Sequence, residues 1–90
     1  MQLSWLPEAR SDLREIIGCI ADRNPVAAER LNEWIERSAE HLTFAPYAHR
    51  PGRVDGTREA VVHPNYIVIY RVTEGTVWIL AVLHARQQYP

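Results

Sequence analysis

Asn24-Pro25 splits the first half of the chain into two stretches of helical periodicity and predicts a helical hairpin. Asn caps a helix well, and Pro suits the first helical position, so one helix must end where another begins. Before this corner, apolar residues fall at Ala9, Leu13, Ile16, Ile17 and Ile20. That spacing (i, i+4, i+7, i+8, i+11) is one stripe of an amphipathic helix from Pro7 to about Arg23. Pro7 loses nothing at the first position, and Glu8 suits the positive end of the helix dipole, whereas Leu6 is a poor cap. After the corner the stripe reads Ala28, Leu31, Ile35 and Leu42, with Trp34 and Ala39 alongside. Glu29, Glu33, Glu36, Arg37 and Glu40 fill the wet face, and Glu33 stands four residues before Arg37, a favourable pair. A corner this tight folds the helices antiparallel.

The flanking segments read as strands and loop. Gln2-Leu3-Ser4-Trp5 alternates as a short strand does. Phe44 to Gly56 has no period and carries prolines, glycines, Arg50 and Arg53, so it reads as a loop. A loop this long in a small domain is more often functional than idle. Strands follow at Arg58–Val62, Tyr66–Val72 and Val77–Leu83, joined by His63-Pro64-Asn65 and Glu74-Gly75 turns. Strands linked by tight turns pair antiparallel. The predicted architecture is α+β, in the order β-α-α-β-β-β. An N-terminal strand and a helical hairpin pack on a small antiparallel sheet, in one domain over residues 1–90. The last two strands are apolar at consecutive positions, so both faces need cover. Helices supply one face; something must cover the other, and part of it is expected to remain apolar surface open for binding. Trp5, Trp34 and Trp78 are assigned to the core.

Charge narrows the function. Ten Arg and no Lys face eleven acids, for a net charge of −1. A chain of this size that held nucleic acid through phosphate contacts would be clearly basic, so stand-alone DNA or RNA binding is disfavoured. The balance is uneven: residues 1–45 hold five Arg and eight acids, whereas residues 46–90 hold five Arg and three acids. No apolar run approaches the roughly 20 residues that span a bilayer. No secretory leader is visible, and the single Cys19 makes no internal disulfide, so a reduced cytoplasmic setting is expected. His41, His49, His63 and His84 are scattered, and neither a metal nor an organic cofactor is expected. A domain this small buries only about two-thirds of its unfolded surface, which leaves room for a partner that adds stability by mass action.

The ordered set of short motifs resembles a known family. Trp5, Ala9, Asp12-Leu13, Ile16 and the Asn24-Pro25-x-Ala27-Ala28 corner resemble the N-terminal half of the RelE/ParE superfamily of bacterial type II toxins. Gly56-Thr57-Arg58-Glu59 and His63-Pro64-Asn65-Tyr66 resemble its central hairpin. Tyr70-Arg71-Val72 and the ending His84-Ala85-Arg86-Gln87-Gln88-Tyr89-Pro90 resemble its last strands. The match is nearest to the ParE-like branch, the plasmid-stabilisation toxins. The resemblance implies a small cytoplasmic poison silenced by a cognate antitoxin, with operator DNA contacted only through the antitoxin. ParE-type members are taken to poison DNA gyrase, and RelE-type members to cleave mRNA on the ribosome.

Between these branches the residues favour a non-enzymatic poison. RelE-type nucleases of this fold place Lys and Arg on the sheet face, including an Arg directly after the Tyr that here is Tyr66. This chain has Ile67 there and no Lys anywhere. If the chain is a nuclease, His84 would be the acid or base, Arg86 would hold phosphate, and Tyr89 would complete the site. Otherwise these three, with Arg50, Arg53, Arg58 and Arg71, are expected to bind antitoxin or target. The segments Pro46–Asp55 and Arg86–Pro90 carry that expectation most directly. A third reading is a non-toxic, antitoxin-binding corepressor. Cys19 and His63 are expected to be inert, His63 as the hydrogen-bonded residue of its turn.

Overall fold

A computed structural model describes residues 1–89; the Pro90 end of the tail singled out above lies outside them. The elements are β1 (Gln2–Trp5), α1 (Pro7–Ala21), α2 (Pro25–His41), β2 (Arg50–Pro51), β3 (Arg58–His63), β4 (Tyr66–Thr73) and β5 (Thr76–His84). α2 starts as its sequence dictates: the Asn24 side chain accepts from the Ala27 N–H at 3.1 Å. No helix is long and apolar enough to cross a membrane among the described residues.

The five strands form one sheet in the order β1-β5-β4-β3-β2. β2 through β5 pair antiparallel, as tight turns require. The N-terminal strand joins β5 in parallel, so the sheet is mixed. The loop expected from Phe44 to Gly56 holds the two-residue strand β2, paired to Arg58 and Glu59. Two residues are too few to leave a periodic signal. Glu74 and Gly75 both have positive φ, which fits the right-handed twist of the β4–β5 hairpin.

Both helices lie on one face of the sheet, α1 over β5 and α2 over β3. Ala9 and Leu13 of α1, and Leu31, Ile35 and Ala39 of α2, meet Ala60, Val68, Tyr70, Val77, Ile79 and Val82 in one core. Leu80 is an extra residue in β5, because Tyr70 pairs with Ile79 while Ile69 pairs with Ala81. This bulge lets Ile79 and Val82 both face the helices.

The opposite face is covered in part. Ile67, Ile69 and Ala81 are buried there in a second small cluster with Leu80, Leu83 and Tyr89. The chain after β5 brings Tyr89 back over this face and supplies part of that cover. Two tryptophans also depart from the core assignment. Trp34 is 52% exposed on α2, and Trp78 is half-buried on the sheet face away from the helices. A helical stripe resolves a face only to about one residue's arc, and Trp34 lies one arc outside it. Trp5 does pack against the core.

Asp12 joins helix to sheet. Its Oδ2 accepts from the Val82 N–H at 3.0 Å, just past the end of the β1–β5 ladder. Asp12→Ala would leave that buried N–H without an acceptor and cost about 1–3 kcal/mol. Asp12→Asn keeps an oxygen in place and should retain most of the stability; urea unfolding of the two variants checks the difference.

Candidate functional site

The register sorts the candidate side chains by face. Tyr70 belongs to the helix-side core, so its neighbour Arg71 projects from the other face, level with Trp78. Glu59 shares that open face, opposite Ile69, and Arg50 is its partner on β2. Arg50 Nε lies 2.9 Å from Glu59 Oε1, an exposed pair worth little stability.

Arg53 and Arg71 border one tight turn, Val54–Thr57, closed by the Thr57 N–H on the Val54 carbonyl at 3.1 Å. Gly56 has φ +82° there, and a Cβ at that position would stand 3.8 Å from Arg71 Nε. The guanidinium therefore lies over the turn. Arg53 donates to Gln88 Oε1 and ties this loop to the C-terminal segment. At Gly52 a Cβ would stand 2.2 Å from the buried Thr57 Oγ1, so the chain reaches the turn through a position only glycine fits. Arg50, Arg53 and Arg71 thus occupy one side of the sheet, with Trp78, Gln88 and Tyr89.

Arg58 is used differently. It pairs with Tyr70 and faces the helices. Its Nη1 donates to the His49 carbonyl at 2.8 Å, and its guanidinium sits 5.1 Å from the centre of the Tyr47 ring. The Tyr70 hydroxyl donates to the Pro46 carbonyl at 2.5 Å. These contacts pin the Phe44–Gly56 loop from beneath. Burial pushes the Tyr70 phenol above its ordinary value, and the nearby Arg58 charge opposes that rise.

His84 and Tyr89 lie on opposite sides of the sheet, and Arg86 meets the His84 ring through its backbone N–H. His84 pairs with Tyr66 and faces the helices, its ring 5.7 Å from the Tyr66 ring. It lines a cleft of about 350 Å³ with Asp12, Glu15 and Cys19 of α1. Its Nδ1 accepts from the Arg86 N–H at 3.2 Å, so one ring nitrogen is already engaged. Arg86 is exposed in the turn after β5, and Tyr89 packs on the far side of the sheet. His63 Nδ1 accepts from the Asn65 N–H at 3.0 Å, the turn-stabilising bond that the sequence suggests. Cys19 is exposed and shares its cleft with His84, an imidazole sixty-five positions away in the sequence that nearest-neighbour reading could not pair with it. Gln88 lies in the Arg86–Pro90 segment expected to bind, but its bond to Arg53 has no signal in the sequence, because a neutral amide in a tail names no partner.

Comparison with known proteins places this arrangement. The family model described as the ParE toxin of the type II toxin–antitoxin system parDE matches residues 3–89. The Y4kP protein of Sinorhizobium fredii is 38% identical over 90 residues, covering 99% of this chain and 93% of that protein. Toxin RelE2 of Caulobacter vibrioides is 35% identical over 85 residues, covering 93% and 94%. A solved structure of the chromosomal ParDE system from P. aeruginosa has the same fold, with a TM-score of 0.84 at 24% identity, over 93% of this chain and 95% of that one. The chain belongs to the ParE toxin family, within the RelE/ParE superfamily of type II toxins.

Proposed function

We propose that this toxin acts by binding a protein target, DNA gyrase, rather than by cutting RNA, and that a cognate antitoxin holds it silent in the cytoplasm. Operator DNA would be reached only through that antitoxin. The observation that carries the reading is the separation across the sheet. Arg50, Arg53 and Arg71 share one face with Tyr89, while the His84 imidazole lies on the helix side. Strand cleavage needs a proton donor or acceptor and cationic support around a single phosphate, within hydrogen-bond reach. Arginines and aromatic rings on one surface suit a protein interface, where planar guanidinium groups pair with carboxylates and serve as anchors.

The purified toxin is assayed for inhibition of gyrase supercoiling and for cleavage-complex formation, beside translation-coupled mRNA cleavage. Gyrase inhibition with intact transcripts is expected. Arg53→Ala combined with Arg71→Ala should weaken that inhibition about tenfold or more, the loss typical of a central interface arginine. One specific observation favours the other branch: a relative at 35% identity bears the name RelE2. Transcripts cut in a manner that depends on His84, Arg86 or Tyr89, with supercoiling unimpaired, would establish the nuclease reading instead.

A further inference from the structure

We propose that the outer face of α2 docks an acidic, amphipathic protein segment, with Trp34 as its anchor; that the segment belongs to the antitoxin rests on the reading above. Arg30, Trp34, Arg37 and His41 follow one another at i, i+4, i+7 and i+11, so they share one stripe of the helix. This is not the stripe that meets the sheet, which is Ala28, Leu31, Ile35 and Ala39. Nor is it the acidic row of Glu29, Glu33, Glu36 and Glu40, which lies further round the helix.

Trp34 is exposed but held. Its Nε1 donates to the Val62 carbonyl at 2.7 Å, and its ring meets His63 edge-on at 4.9 Å between centroids. An indole already fixed in one orientation loses little further freedom on binding, which suits it to anchor an interface. Cavities of about 380 and 350 Å³ open on its two sides. Arg30 borders both; Glu33, Arg37 and His41 line the first, where two arginines outnumber one carboxylate, and Val26 and His63 line the second.

The charge selects the occupant. Among the described residues the ion pairs are Arg10–Glu36 and Arg50–Glu59, and neither includes Arg30 or Arg37. Unspent guanidinium groups beside a fixed aromatic ring match a segment with carboxylates flanking an apolar side chain. Single-stranded nucleic acid would find the same arginines and ring, but it carries a continuous line of negative charge. The adjoining groove is lined by Glu33, Glu36 and Glu40 against the single guanidinium of Arg37, and that acidic balance would repel the line. A peptide needs to be acidic only opposite the arginines.

Calorimetric titration of the purified toxin with the cognate antitoxin, and separately with a short single-stranded RNA, tests the proposal. Trp34→Ala should weaken antitoxin binding about tenfold to thirtyfold. Arg30→Glu with Arg37→Glu should weaken it by a similar factor and flatten its salt dependence. The charge reversals occupy exposed positions, so they test the surface even if loss of the indole perturbs folding. Arg14→Glu on α1 serves as the remote control and should leave affinity unchanged. Wild-type affinity in the charge-reversed variant would overturn the proposal, as would RNA binding that needs Trp34 while antitoxin binding does not. A wild-type toxin that bound no antitoxin would remove the reading beneath the proposal and the proposal with it. Wild-type binding with unaffected variants would remove the proposal alone.

Discussion

Tyr70→Ala is expected to remove about 3–5 kcal/mol of folding stability, the range for deleting a buried aromatic ring. Small domains have only about 5–15 kcal/mol in total, so this variant should sit near its unfolding midpoint at low urea. Tyr70 is fully buried, between Ile69 and Arg71 on a central strand, and it is the largest of the fully buried side chains. Its ring fills the core shared by both helices and the sheet, and its hydroxyl holds the Pro46 carbonyl. The two roles separate experimentally. Tyr70→Phe keeps the ring and drops the hydroxyl, for a loss of about 1 kcal/mol from one hydrogen bond. The same pair of proteins tests the phenol's titration. Its pKa is raised in the fold by burial, against the opposing charge of Arg58. The unfolded phenol ionises first, near its ordinary value of 10.0. Stability is therefore full below that pH and falls as pH rises through the raised native value. The wild-type urea midpoint should drop more steeply above this pH than that of Tyr70→Phe. Parallel curves would mean that the native and unfolded phenols titrate alike.

Ile35→Ala is expected to cost about 2–5 kcal/mol, through lost transfer energy and an unfilled cavity. Ile35 is fully buried near the middle of α2, in the core shared by both helices and the sheet. α2 and the strands it meets are all regular elements with little room to collapse, so the effect should fall in the upper part of that range. Ile35→Val removes one methylene and should cost only about 0.5–1.5 kcal/mol. Urea midpoints with unchanged slope would confirm loss of packing rather than a change in the unfolded chain.

These two residues mark the limit of what a sequence can express. Ile35 was legible from spacing, because a helix repeats every 3.6 residues and its buried stripe is written in the order of apolar side chains. The Asn24-Pro25 corner, the strand segments and the family were legible for the same reason: each is a local pattern or an ordered set of local patterns. Tyr70 could be assigned to a strand, but not to the carbonyl of Pro46, twenty-four positions away. Arg58 and Arg71 looked equivalent as neighbours of strand residues, yet one pins a loop beneath the sheet and the other lies over a turn on its open face. The Leu80 bulge shifts the phase of β5 without leaving a sign in the sequence.

The candidate site shows the same division. Its residue types were readable, since arginine chemistry does not depend on fold. Which arginines share a surface was not, because a strand sends alternate side chains to opposite faces and pairing register fixes the phase. His84 and Tyr89 stand five residues apart in the chain and on opposite sides of the sheet. Sequence alone determined the helical hairpin, every strand but β2 and the resemblance to the toxin family, all of which follow from short-range order. The tertiary structure decided which charges meet, how the tail covers the second face and why Trp34 stands exposed. Those outcomes depend on contacts between segments far apart in the chain, and no local pattern encodes the distance between them.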